Sequence, residues 1–171
     1  MEKVIAKNPD EISNEIYYMS LANLGILDLV AGKSYEAFLN LHKAVEIMKQ
    51  YNATAYLVAV DSSRLLALSK LFPAKAYEEL GDYSKLSVEE GARNALVAKA
   101  QIAARALQVV TEEDRKKQLY EDSVNTLIEL SKFGGLEPNA VVMIKMAPEF
   151  KDIRKDQRVK DLIKSDESKS K

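Results

Sequence analysis

Apolar residues recur at every third or fourth position along most of this chain, and this spacing constrains the fold more than any other feature. In the first such stretch, the apolar positions are Ile12, Ile16, Met19, Leu21, Leu24, Leu27 and Val30. This is the period of an amphipathic helix, whereas a half-buried strand alternates at every second position. Comparable stretches continue toward the C-terminus, and none shows strand alternation. The sequence therefore predicts an all-α fold.

Composition excludes several kinds of site before any motif is considered. The 171 residues include no cysteine and one histidine, His42, so thiolate metal sites and cysteine nucleophiles are excluded, and most zinc and Ser-His-Asp sites are disfavoured. The 25 basic residues nearly balance the 26 acidic ones, and no apolar run would span a bilayer. We therefore expect no nucleic-acid or membrane partner, no metal and no cofactor. A polar N-terminus without a signal-like apolar core favours a cytoplasmic location.

The segment Gly32-Lys33-Ser34 matches the end of a phosphate-binding loop and raises the question of a nucleotide site. Such a loop follows a strand and needs a further glycine at the position that Leu27 occupies here. The preceding residues have helical spacing instead of strand alternation. We interpret Gly32 as the end of one helix and Ser34 as the cap of the next.

A stretch of the chain from Tyr18 to Tyr51 has the spacing of a helical hairpin, with small residues where the two helices cross. The pattern is carried by Leu21, Leu24, Gly25, Asp28, Ala37, Leu41 and Ala44. It resembles the tetratricopeptide repeat (TPR) family, whose units of 34 residues fold as helix–turn–helix. Two apolar positions have Leu where the family usually has Trp or Phe, and Asp28 replaces the usual Tyr. The small Gly25 and Ala37 allow the helices to approach closely.

The C-terminal segment, residues 140–165, resembles the closing segment of many bacterial TPR proteins. An apolar helix there is followed by Pro148, Phe150, Ile153, Arg154 and Asp156, and then by a final amphipathic helix containing Val159 and Ile163. Gln157 replaces a common Pro and Val159 a common Phe. Such a helix would close the open apolar end of stacked hairpins. Between the two segments the resemblance is looser, and residues 94–133 are expected to form a hairpin with Ala100 at the crossing and Ser123 opposite.

The resemblance implies a single domain over residues 1–165, built as an α-α superhelix of about three helical hairpins with a C-terminal capping helix. Residues 166–171 are expected to form a disordered polar tail. The first helix of each hairpin would line a concave groove for a protein or peptide, which makes the chain a non-enzymatic scaffold or adaptor. The predicted groove residues are Met19, Ile26, Tyr56, Ser63, Arg64, Asn94, Gln101 and Arg105.

Two other interpretations stay open. A small helical-bundle enzyme, or a ligand-sensing domain of a larger signalling protein, would require an enclosed pocket where His42 or a pair of carboxylates meets polar partners. An apolar face near Ile12–Ile16 also predicts a homodimer through the N-terminal helices.

Overall fold

The computed structural model describes residues 14–54, 56–80, 92–132 and 136–169, and all regular structure within these ranges is helical. The α-helices are α1 (Asn14–Val30), α2 (Ser34–Gln50), α3 (Leu57–Leu71), α4 (Pro73–Glu79), α5 (Ala92–Leu107), α6 (Glu113–Ser131), α7 (Pro138–Met146) and α8 (Gln157–Lys169). Two 3-10 turns, Pro148–Phe150 and Ile153–Lys155, connect α7 to α8. The all-α prediction is confirmed for this part of the chain. None of the described helices is long and apolar enough to cross a membrane.

The chain divides into two compact units, Met1–Phe72 and Pro73–Lys171. The first contains α1 to α3 and the second contains α4 to α8, and each has its own cluster of buried apolar side chains. The prediction of one repeat domain over residues 1–165 stays a prediction. Each unit is described below by itself.

In the first unit, α1 and α2 form a hairpin that closes around Gly25. A Cβ atom placed on Gly25 would lie 2.5 Å from Leu41 Cγ and 3.2 Å from the carbonyl oxygen of Ala37. Leu41 and Ala37 are themselves fully buried, so neither has open space into which it could move. The prediction that Gly25 lies at a helix crossing is confirmed. Asp28, the departure from the TPR pattern, accepts a 3.0 Å hydrogen bond from the Asn40 amide across the hairpin.

The turn between α1 and α2 contains the Gly32-Lys33-Ser34 sequence. Gly32 has a φ of +80°, and the Lys33 backbone N–H donates to the Asp28 carbonyl at 2.9 Å, which is the usual way a glycine ends a helix. The predicted helix end at Gly32 is confirmed. The predicted Ser34 cap is wrong: Lys33 occupies the N-cap position without a side-chain cap bond, and α2 begins at Ser34. The chain reversal is complete at Lys33, so Ser34 is already helical.

Apolar spacing predicts a third helix from about Asn52 to Leu71, but in the structure this helix begins at Leu57. Asn52 has a positive φ of 53°, a left-handed conformation that asparagine tolerates better than most residues and that a helix cannot contain. The periodicity of apolar residues does not reveal the non-helical backbone at Asn52, because the apolar residues on both sides of it keep a helical spacing.

In the second unit, α5 and α6 form the hairpin that the sequence predicts. The Ser123 hydroxyl donates a 3.2 Å hydrogen bond to the carbonyl of Ala100 on the facing helix, and both residues are fully buried. A hydroxyl in a dry helix interface requires such an acceptor. The predicted crossing at Ala100 and Ser123 is confirmed. The glycine pair Gly134-Gly135 predicts the end of this second helix, but the pair lies outside the described residues.

The closing segment packs into the core of the second unit. Phe150, Ile153 and Val159 are completely buried in the same cluster as the α5–α6 hairpin. Arg154 donates hydrogen bonds to three backbone carbonyls, those of Lys145, Ala147 and Phe150. The Lys145 and Ala147 carbonyls are acceptors that the C-terminal end of α7 leaves without helical partners, and the Phe150 carbonyl belongs to the 3-10 turn that follows.

Apolar spacing predicts a last helix over roughly Arg154–Lys164, whereas the observed helix begins at Gln157, because Asp156 caps it. The Asp156 carboxylate accepts a 2.8 Å hydrogen bond from the Arg158 backbone N–H, which is the geometry of an N-cap. The helix ends at Lys169, beyond the predicted boundary at Lys164. Side chains from residue 166 onward lie outside the described residues, so the predicted disordered tail stays a prediction.

Asp156 makes the stability of the closing segment depend on pH. Hydrogen bonds from Arg158 and from the Tyr120 hydroxyl hold the pKa of this carboxyl well below its ordinary value. A lowered folded-state pKa stabilises the protein above the unfolded-state pKa, near 4, and this stabilisation is lost as the pH falls through the folded-state value. We expect Asp156→Asn to cost about 1–2 kcal/mol at pH 6 and less at pH 2.5, where part of this stabilisation has been lost. Urea unfolding of both proteins at the two pH values measures the difference. An equal cost at both would contradict this assignment.

Candidate functional site

The eight predicted groove residues fall in both compact units. Those on the first unit lie on α1 (Met19, Ile26), at the start of α3 (Tyr56) and within α3 (Ser63, Arg64), whereas the others lie on α5 (Asn94, Gln101, Arg105). Met19 and Ile26 share one face of α1, and Tyr56 is 60% exposed at the N-cap of α3.

Arg64, expected to anchor a partner, has an intramolecular partner instead. Its Nε donates to the Asp61 carboxylate one turn earlier on α3, and the two side chains are only 10% and 6% exposed. The neighbouring Ser63 hydroxyl donates a 3.0 Å hydrogen bond back to the Ala59 carbonyl. Removing the Arg64 guanidinium would leave the buried Asp61 carboxylate without this partner, which is costly. The spacing of three residues between acid and base on a helix is a signal that sequence reasoning could have used.

Arg105 likewise makes an internal ion pair. Its Nε and Nη2 donate to the same carboxylate oxygen of Glu149 at 3.1 and 2.8 Å, and both side chains are less than one-fifth exposed. This pair ties α5 to the first 3-10 turn of the closing segment. The partners are 44 residues apart, and no local sequence pattern indicates their contact. Of the other α5 positions, Asn94 is exposed and Gln101 is half-buried.

Several large apolar side chains are exposed together on the outer face of α1. We call this face the α1 stripe; its members are Ile16, Met19, Ser20, Asn23, Ile26, Leu27 and Val30. Ile26, Leu27 and Val30 are 40%, 56% and 82% exposed, and Ile16 is 54% exposed. None of the seven side chains is ionisable. An uncharged helix face that exposes four large apolar side chains is typical of an interaction surface.

The buried side of α1 differs from the side that apolar spacing in the sequence predicts. The core side of α1 is formed by Tyr17, Leu21, Ala22 and Gly25, each at most 4% exposed or packed directly on α2. Apolar spacing in the sequence grouped Leu21 with Leu27 and Val30. In the structure, Leu21 is buried against the core, whereas Leu27 and Val30 lie on the exposed side of the helix. Because α1 is apolar almost all round, periodicity alone does not identify its buried side.

A smaller exposed apolar pair lies on the second unit. Val142 and Met146 are one turn apart on α7 and are 58% and 76% exposed. Isolated exposed apolar residues are common on protein surfaces. This pair therefore serves as a comparison for the α1 stripe.

The second unit also contains a cavity of about 900 Å³. It is lined by Tyr77, Glu78, Leu80, Lys99, Glu112, Asp114, Arg115, Gln118 and Asp122. The Tyr77 hydroxyl donates to Asp122, and Arg115 contacts Glu78 at 2.7 Å. Burial, together with the bond to Asp122, raises the pKa of Tyr77 far above its ordinary value, so this phenol is held protonated and acts as a donor. The cavity therefore contains polar groups that already bind one another.

His42 belongs to the first unit. It is exposed on α2, and its ring stacks on Phe38 with the ring centres 5.5 Å apart. Among the described residues, no three His, Asp or Glu side chains are grouped so as to hold a metal ion.

Known proteins offer no further guide to these surfaces. Comparisons with protein-family models, with curated proteins and with solved structures find no match to this chain. The α1 stripe and the cavity are therefore judged by their own chemistry.

Proposed function

We propose that this chain is a non-enzymatic scaffold or adaptor that binds a protein or peptide, and that the α1 stripe belongs to its binding surface. The observation that carries the proposal is the exposure of Ile26, Leu27 and Val30 on an uncharged helix face. Apolar side chains at helical spacing are the usual anchors when a helix packs against a partner. Met19 and Ile26, predicted as groove residues, lie on this surface.

We also propose that the helical hairpins are TPR-like repeats within a superhelix. The α1–α2 hairpin has a glycine at its crossing, and the α5–α6 hairpin has Ala100 at the equivalent place. The closing segment covers the apolar end of the second hairpin with Phe150 and Val159. Small crossing residues and a terminal cap are what a stack of hairpins requires.

The alternative, an enzymatic or ligand-sensing bundle, would use the cavity of the second unit. A ligand that bound Tyr77, Asp122, Arg115 or Glu78 there would have to compete with the pairs that these side chains already form with one another, and leaving such groups unpaired is expensive. The α1 stripe binds a partner without breaking any of these hydrogen bonds. Protein binding is therefore the favoured function.

The proposal predicts that Ile26→Ser/Val30→Ser abolishes partner capture. Each buried aliphatic side chain contributes about 1.5–3 kcal/mol, so the double change should reduce the yield of specifically captured proteins more than tenfold. Val142→Ser/Met146→Ser is the matched control, because it also removes two exposed apolar side chains one helical turn apart. The measurement is affinity capture from native extract with quantitative mass spectrometry, after circular dichroism has shown equal helix content. Equal capture by both variants and the wild type would refute the surface.

A further inference from the structure

We infer that α8 is a detachable strap, a helix that opens by itself while α5, α6 and the 3-10 turns before it stay folded. The strap belongs to the second unit and is independent of the α1 stripe, so the inference goes beyond the proposed function. The small number of side chains that hold α8, and their position along the helix, point to this behaviour.

Few side chains of α8 are buried. Within residues 157–165, where the structure describes its side chains, Val159 and Ile163 are buried one turn apart and six residues are exposed. By comparison, α6 buries six side chains. A helix of 13 residues is close to the length at which isolated helices are only marginally stable in water. The helical state of α8 therefore depends on the docking of Val159 and Ile163.

Polar contacts attach α8 at its N-terminal end. The Tyr120 hydroxyl donates a 2.9 Å hydrogen bond to Asp156, the residue that caps α8. Arg158 donates to the Glu121 carboxylate at 2.9 and 3.1 Å. These two side chains are 42% and 43% exposed, and ion pairs in such positions contribute little to stability. The polar contacts act on the first turn of α8, whereas Ile163 docks the next one.

The 3-10 turns before α8 are held more firmly. Phe150 and Ile153 are completely buried, and Arg154 donates hydrogen bonds to three backbone carbonyls. The Arg105–Glu149 pair, which joins the first of these turns to α5, is less than one-fifth exposed on both sides. Breaking an ion pair with so little exposure is costly. The boundary of the strap therefore lies between these turns and α8.

Opening of α8 uncovers an aliphatic side of α6. The two helices pack directly on each other, and Val159 and Ile163 belong to the same buried cluster as Val124 and Leu127 of α6. When the strap opens, part of this cluster becomes exposed while the α5–α6 hairpin remains folded. Elements that move in conformational switching come from regions that open below the free energy of global unfolding. The strap thus controls the exposure of this side of α6.

Native-state hydrogen exchange of the full chain tests the inference, with urea added at concentrations below the unfolding transition. We expect the amides of residues 160–164 to exchange about 100-fold or more faster than those of the α5–α6 hairpin, because their opening leaves the hairpin folded. Their exchange should also change little with urea, since the strap exposes little surface when it opens. Equal protection and equal urea dependence in α8 and the hairpin overturn the inference.

A substitution within α8 distinguishes a docked strap from a helix end that frays without docking. Val159→Ala should reduce the protection of the α8 amides about tenfold or more, since it removes two buried methyl groups. Lys160→Ala is the matched control, because Lys160 is exposed on the same helix, and it should leave the protection unchanged. Protection of α8 that does not respond to Val159→Ala overturns the inference.

A substitution outside α8 distinguishes opening of the strap from unfolding of the whole unit. Leu119 is completely buried on α6 but lies outside the cluster that contains Val159. Leu119→Ala should reduce the protection of the α5–α6 hairpin and leave that of α8 unchanged. A parallel loss in α8 would show that it opens only with the hairpin, which overturns the inference. The urea dependence of the wild type decides the same question if Leu119→Ala does not fold.

Discussion

Gly25→Ala lowers the free energy of unfolding by about 1–3 kcal/mol, although alanine is the better helix former by about 1 kcal/mol. The added Cβ would lie 2.5 Å from Leu41 Cγ, a branched carbon near the backbone that has no room to move. It would also press on the Ala37 carbonyl oxygen at 3.2 Å. The two helices must therefore separate, and the surrounding core loses contact.

Urea denaturation at low protein concentration measures this effect. Asn23→Ala is the matched control, because it places alanine on the exposed side of the same helix and should not destabilise the protein. A second test combines Gly25→Ala with Leu41→Ala, which removes the clashing atoms. If the clash is the cause, Gly25→Ala costs little in the Leu41→Ala background, and the two changes are strongly non-additive. An undiminished cost in that background would contradict the steric explanation.

Phe150→Ala should destabilise the protein more than any surface change, by about 3–5 kcal/mol. The ring is completely buried in the core of the second unit, and the 3-10 turn that contains it packs on α5. Removing the ring leaves a cavity and also loosens the turn that Arg105 and Arg154 attach to the rest of the unit.

Phe72→Ala provides the comparison, since Phe72 is 61% exposed and loses little buried area when truncated. We expect a change of about 0.5 kcal/mol or less for this variant. Thermal and urea unfolding of the two variants compare the stability lost on truncating a buried phenylalanine with that lost on truncating an exposed one. Similar losses in both would mean that Phe150 does not support the closing segment as described.

The helices and their crossings could be predicted from the sequence where they depend on neighbouring residues, such as apolar spacing, a terminating glycine or a small side chain. Helical spacing predicted the all-α class, and Gly32 marked the end of α1. Small residues located both hairpin crossings, because only a glycine or alanine lets two helix backbones come so close. Helix starts were less accurate at Leu57 and Gln157, because left-handed Asn52 and the cap at Asp156 are conformations that apolar spacing does not reveal.

The predicted binding residues depended on contacts between distant parts of the chain. Arg64 and Arg105 were expected to meet a partner, but their guanidinium groups bind Asp61 and Glu149. Met19 and Ile26 do lie on a surface that suits a partner. The difference is physical: a cation binds whichever carboxylate the fold brings within reach, and for Arg105 that carboxylate is 44 residues away.

The sequence alone determined the helical class, the hairpin crossings at Gly25 and Ala100, and the buried closing segment around Phe150. These features follow from side-chain size and spacing, which act locally. Only the tertiary structure decided which side of α1 faces the core, because that helix is apolar almost all round and either side could have been buried. Gly25 resolves the choice, since α2 approaches α1 on the side that lacks a side chain, and the opposite side, centred on Asn23, is left exposed.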